Sequence, residues 1–210
     1  MKKVIIIALM ACLVLGAAFA DGLKVGAEAG YGMTAGGVVM KDDPYSYLMG
    51  SQGGFFGAAS LEFDASKAFG LKAEFGVLVP SAAYLTVRNG KDDTPDSADM
   101  TDTSDLTPIC TGYLGLQFNA DLAKTLTLSL GVGLDLMFGG EDDDFDLALG
   151  AGAETIASFN VSDSLSLNFG GRFGYYFFHT KGNLQEQAEA MGCNYLSFSW
   201  KAFGGITINL

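Results

Sequence analysis

Basic residues are scarce in this chain: twelve Lys and Arg stand against twenty-four Asp and Glu, for a formal net charge of -12. A nucleic-acid binder working through phosphate contacts is thereby excluded, because that mode needs clustered cations. Histidine occurs once, at position 179. Neither a Ser-His-Asp hydrolase nor a His-rich metal centre can draw on more than this one imidazole. Beyond the first twenty residues no run of eighteen consecutive apolar residues occurs, which excludes a spanning helix. Disorder is excluded as well, since apolar residues reach 49% and charged residues only 17%. A single folded domain is expected.

The first twenty residues read as a leader. Lys2 and Lys3 precede the apolar run Val4 to Leu15, and Ala18-Phe19-Ala20 has the small-x-small form cut by a signal peptidase before Asp21. Cys12 lies inside the apolar run, which suits a cleaved leader better than a lipid-bearing cysteine. After cleavage, Cys110 and Cys193 remain, compatible with one disulfide in an oxidising compartment. The domain then spans residues 21–210.

What fills that domain is alternation. Period-two patterns bounded by turn residues recur in eight segments, near 23–31, 55–64, 71–78, 109–119, 126–138, 146–160, 165–179 and 194–210. In the fifth, Leu126, Leu128, Leu130, Val132, Leu134 and Leu136 alternate with Thr127, Ser129, Gly131, Gly133 and Asp135. The connections alternate too. Short turns at Ala65 to Gly70, Ala120 to Thr125 and Val161 to Ser164 follow strands two, four and six. Longer segments, Gly32 to Gly54, Val79 to Pro108 and Thr180 to Cys193 among them, follow the odd-numbered strands. An up-and-down meander has this form, with both termini at the short-turn end.

A soluble eight-stranded barrel would alternate in the same way, so the composition of the two faces decides. One face is small and polar, with Gly26, Gly30, Ala58, Ser60, Gly131, Gly133, Gly150, Gly152, Gly170, Gly174, Ser197 and Ser199. The other holds Val25, Ala27, Phe55, Phe75, Leu114, Leu116, Phe118, Leu167, Phe169, Trp200, Ile206 and Ile208, and carries no charge. A soluble barrel needs charges on its outer face; hydrocarbon penalises them. The apolar face is therefore expected to look outward into lipid. Aromatics cluster toward the two strand ends, Tyr31, Phe55, Phe56, Phe138, Tyr175 to Phe178 and Tyr195 at one and Phe63, Phe69, Phe118 and Phe159 at the other, as two interfacial girdles would.

Leader, eight amphipathic strands, short turns alternating with long polar segments and a strand ending the chain together resemble the small outer-membrane β-barrel family of OmpA/OmpX/OmpW type. The resemblance implies an all-β, eight-stranded antiparallel transmembrane barrel in the outer membrane of a diderm bacterium. It also implies periplasmic termini, extracellular long loops and a monomer. A last-strand recognition signal for the barrel-assembly machinery is implied too, with Gly205, Ile208 and Leu210 at the matching positions. Outer-membrane lipid, that machinery and a host or surface ligand at the long loops are the partners it suggests.

No catalytic set, cofactor motif or metal-ligand spacing emerges. Gly131-Val132-Gly133 precedes no helix, so it is no phosphate cradle. Asp93, Asp96, Asp99, Asp102 and Asp105 recur every third residue, and Glu141 to Asp144 form an acidic run. Neither has the spacing that wraps calcium, and a solvated acidic surface is expected.

The inward face carries charges of both signs: Lys24, Glu28, Glu62, Lys72, Glu74, Asp135, Glu154, Arg172 and Lys201. Folding about Asp163 sets Glu154 opposite Arg172, and folding about Lys67 sets Glu62 opposite Lys72. An eight-stranded barrel encloses a space that inward side chains roughly fill, so an ion-paired plug is expected. A structural or adhesive surface barrel with a closed lumen is the function this suggests. A narrow porin-like or OmpW-like transporter for small or hydrophobic solutes is the alternative.

Overall fold

The computed structural model describes residues 22–102, 106–139, 146–180 and 184–210. The expected leader, residue 105 and the acidic run 141–144 lie outside them. The strands are β1 (Leu23–Met40), β2 (Tyr47–Ser66), β3 (Phe69–Arg88), β4 (Asp96–Asp99), β5 (Ile109–Ala123), β6 (Leu126–Gly139), β7 (Asp146–Ser162), β8 (Leu165–His179) and β9 (Cys193–Asn209), with a short helix α1 (Leu184–Ala190) before β9. All neighbours run antiparallel, in the order β2-β1-β9-β8-β7-β6-β5-β3, and β2 pairs with β3 to close the ring. Eight long strands thus form an up-and-down barrel with no free edge through its middle. β4 lies outside that ring, pairing Tyr84 to Val87 of β3 with Asp99 to Asp96.

The faces divide as hydrocarbon demands. Phe55 is 70% exposed, Phe169 57%, Phe75 55% and Leu134 51%, while Ser60, Glu74, Asp135 and Arg172 on the opposite face are buried. Outward aromatics pair at both ends: Tyr31 packs on Phe55 and Trp200 at 6.2 and 6.3 Å near one end, and Phe69 on Phe118 at 5.5 Å near the other.

Several expectations are corrected. The segment Gly32 to Gly54 is mostly strand: β1 and β2 stay paired to Val39↔Tyr47, leaving only a tight connection between them. β3 likewise runs on to Arg88, and Asp96 and Asp99 belong to β4. Backbone ladders continue here although apolar alternation fades, because hydrogen bonding between strands needs no apolar face. Phe56 and Tyr176 are not girdle residues; both are buried and alternate to the inside, next to outward Phe55 and Tyr175. Cys110 and Cys193 are free thiols, on β5 and β9, which are not neighbours.

Candidate functional site

Six strands send charged side chains into one layer across the barrel. Glu28 comes from β1, Lys72 and Glu74 from β3, Asp135 from β6, Glu154 from β7, Arg172 from β8 and Lys201 from β9. Alternation dictates the inward direction, since each shares parity with a small inward neighbour such as Gly26, Gly152 or Gly174. Glycines leave room for long side chains to lie across the lumen instead of along the wall.

Arg172 grips Glu74 with both prongs of its guanidinium. Nη1 donates to Oε1 at 3.0 Å and Nη2 to Oε2 at 2.5 Å, although the two residues are 98 positions apart. Its Nε donates to Glu154 Oε2 at 3.1 Å. Lys72, fully buried, donates to Glu28 Oε1 at 2.6 Å and Glu154 Oε2 at 3.1 Å, with Glu74 Oε2 at 3.5 Å. Lys201 Nζ donates to Glu74 Oε1. Charge-assisted and partly bidentate, these contacts are the strong class of hydrogen bond. A buried cation of this kind survives only when so surrounded.

Aromatic plates back the cations. The Arg172 guanidinium carbon lies 3.9 Å from the centroid of Tyr113, and Lys201 Nζ 3.8 Å from that of Phe56. Lys72 Nζ lies 5.4 Å from the Phe203 centroid. These contacts are within cation–π range. Sequence reading did not identify Phe56, Tyr113, Tyr176 or Phe203 as lumen residues. Their parity with Ala58, Gly115, Gly174 and Gly205 was the available signal.

Both cross-strand juxtapositions hold in register, Glu154↔Arg172 and Glu62↔Lys72. Only the first is an ion pair: Lys72 Nζ turns across the lumen to Glu28 and Glu154. Lys24 also stands apart from the central layer. It pairs with Asp64 at 2.8 Å in a half-exposed contact toward the short-turn end. Between that contact and the charged layer, neutral groups link strands: Asn168 Nδ2 donates to Thr207 Oγ1 at 2.6 Å and Ser129 Oγ to Asn119 Oδ1 at 2.8 Å. Gly205 faces inward beside Glu28, Ile208 points outward, and the amide of Leu210 donates to the Leu23 carbonyl at 2.9 Å.

Above the charged layer the lumen opens. A cavity of about 30 Å³, lined in part by Thr34, Thr111, Asp135, Arg172 and Lys201, sits directly on it. A wider vestibule of about 370 Å³, in which Thr34 recurs beside Leu85, Met100, Met137 and Tyr195, continues to the long-hairpin end. His179 lines this vestibule, 5.5 Å ring to ring from Tyr195. Among the described residues no group of three or more His, Cys, Asp and Glu side chains could hold a metal ion.

The closed ring, outward apolar band and polar interior define the class: an eight-stranded barrel with the fold of the small outer-membrane proteins. Neisserial surface protein A is similar in structure, with a TM-score of 0.54 at 14% identity over 90% of this chain and 97% of that one. The N-terminal β-barrel domain of OprF from Pseudomonas aeruginosa matches at 0.47 and 12% identity, over 90% and 100% of the two chains. The protease OmpT from Escherichia coli also matches at 0.47, with 9% identity over 91% and 98%. No family model matches the sequence, and no curated protein does. Identity this low speaks for the fold alone.

Proposed function

We propose that this chain is an integral outer-membrane barrel whose lumen is closed by an ion-paired plug and whose working surface is its extracellular end, in a structural or adhesive role. The carrying observation is the two-pronged Arg172–Glu74 contact across the lumen, reinforced by Lys72 and Lys201 on the same acids. With three acids and three bases paired in one layer and aromatic plates behind them, no continuous water column is needed to solvate those charges. In this reading the termini are periplasmic and the long hairpins extracellular, where they meet a host or surface ligand. The barrel inserts as a monomer, with Gly205, Ile208 and Leu210 serving as the assembly signal.

Planar-bilayer recording tests the plug. Wild type stays silent, and the Glu154→Ala, Arg172→Ala double variant leaks. Stable wild-type currents whose selectivity changes in Arg172→Glu overturn the reading, because a conducting lumen would then be lined by these charges.

A second reading, a narrow transporter for small or hydrophobic solutes, is favoured by one observation, the vestibule of about 370 Å³ above the plug. Uptake of such a solute into liposomes carrying the protein, without ion current, would select it.

A further inference from the structure

Two features meet above the plug. The first is a charge imbalance. Glu28, Glu74, Asp135 and Glu154 bring four negative charges to the layer, and Lys72, Arg172 and Lys201 bring three positive ones. Glu28, Glu74 and Glu154 all take part in ion pairs. Asp135 is buried to 3% exposure, yet among the described residues no Lys or Arg nitrogen lies within 4.0 Å of it. Asp135 accepts a hydrogen bond from the Leu136 amide, but a buried carboxylate without a contacting cation is costly, and a cation beside it relieves that cost.

The second feature is the shape of the space over Asp135. The inner chamber of about 30 Å³ has room for a group the size of one water or one ammonium. Thr111 Oγ1, at its wall, is buried and has no hydrogen-bond partner. Beyond Thr34 the outer chamber of about 370 Å³ falls in the range of small-molecule sites. Asp135 and Met137 share the inward face of β6 two residues apart, so one step along the strand leads from the carboxylate to the thioether. Thr111 sits opposite Met137 on β5. Met100 and Leu85 continue the apolar wall, and methionine adapts readily to the shape of an apolar body.

We propose that these two chambers form a binding site for a primary aliphatic amine entering from the extracellular side, its ammonium donating to Asp135 and Thr111 Oγ1 and its apolar body lying along Met137, Met100 and Leu85. Arg172 and Lys201 line the same inner chamber, but each is already engaged by Glu74. The charge count decides the sign of the ligand: an ammonium reduces the negative excess of the inward face, to which Glu62 opposite Lys72 adds a further acid, whereas a carboxylate increases it. The proposal rests on the plugged lumen, which gives the site its floor.

The test is calorimetric titration of the refolded wild-type protein with n-hexylamine, n-hexanol and n-hexanoate at neutral pH, with protein-free detergent as the blank. Hexylammonium should saturate one site, with hexanol and hexanoate at least roughly tenfold weaker, the scale of one charge-assisted hydrogen bond. Asp135→Asn should weaken hexylammonium by a similar factor, and Met137→Lys should abolish its binding by filling the outer chamber with a like charge. Equal binding of the three probes, tighter binding of hexanoate, no saturation above the blank, or unchanged affinity in Asp135→Asn would overturn the proposal. If Asp135→Asn does not refold, the wild-type series and Met137→Lys still decide it. Ion currents from wild type would remove the plug and leave these binding results standing, so the two failures are distinguishable.

Discussion

Tyr113 lies sandwiched between Arg172 on one face and a bed of glycines on the other. The guanidinium carbon is 3.9 Å from its ring centroid. A Cβ at Gly131 would stand 2.9 Å from the Tyr113 hydroxyl oxygen, and one at Gly152 3.2 Å from its ring. These glycines therefore serve close approach: the bare backbone of β6 and β7 is the surface on which the aromatic plate rests, and the plate backs the arginine of the central charged layer.

Replacing Gly131 by Val should push Tyr113 off this bed and release Arg172 from its stack. Overpacking of this kind costs about 1–3 kcal/mol, and urea unfolding of the barrel in lipid vesicles would register it. Tyr113→Ala, which empties the same place, should cost about 3–5 kcal/mol as large aromatic deletions do. Unchanged unfolding midpoints in both variants would mean that the sandwich contributes nothing to stability.

Lys72 offers a sharper test of the plug. Because it serves Glu28, Glu74 and Glu154 at once, Lys72→Met should be strongly destabilising, by about 3–5 kcal/mol, the cost of leaving a buried charge without its counterpart. Adding Glu28→Gln should recover part of that loss by removing the charge left behind. A double variant no more stable than the single would show that Glu28 does not depend on Lys72.

Sequence alone revealed the outward band and the Glu154–Arg172 neighbours, because both follow from period two and from counting about a turn. Leu126 to Leu136 form one strand face as the alternation indicates. It did not reveal where Lys72 reaches. Its register neighbour is Glu62, but its ion pairs run across the lumen, and which levels meet there depends on strand stagger, a property of the whole closed barrel. Consecutive aromatics hid a second feature: in Phe55-Phe56 and Tyr175-Tyr176 both residues fit a girdle by type, and only the parity of their neighbours separates lipid from lumen.

The outward face predicts a penalty at Leu134, which is 51% exposed in the middle of β6. Leu134→Arg should lose about 2–4 kcal/mol of folding free energy in a bilayer, the cost of a charge near the midplane. Normal folding of this variant in lipid, read from heat-modifiable gel mobility, would mean that this face does not meet hydrocarbon.

At the long-hairpin end, the β4 turn predicts a pH response. Asp99 Oδ1 accepts from the Thr101 amide at 3.0 Å and from its hydroxyl at 2.6 Å, and these bonds hold the Asp99 carboxyl below its usual range. Thr101 Oγ1 in turn accepts from the Ala83 amide at 3.1 Å, tying the turn to β3. A depressed carboxyl contributes its stabilisation above its unfolded value and loses it as pH falls through the folded one. Amide exchange at Ala83 and Thr101 should therefore accelerate, relative to the intrinsic rate, as the solution is acidified below the ordinary aspartate range. In Asp99→Asn, which keeps an acceptor but does not titrate there, this dependence should vanish. A pH profile identical in the variant and the wild type would show that the turn is held by the β3–β4 ladder alone.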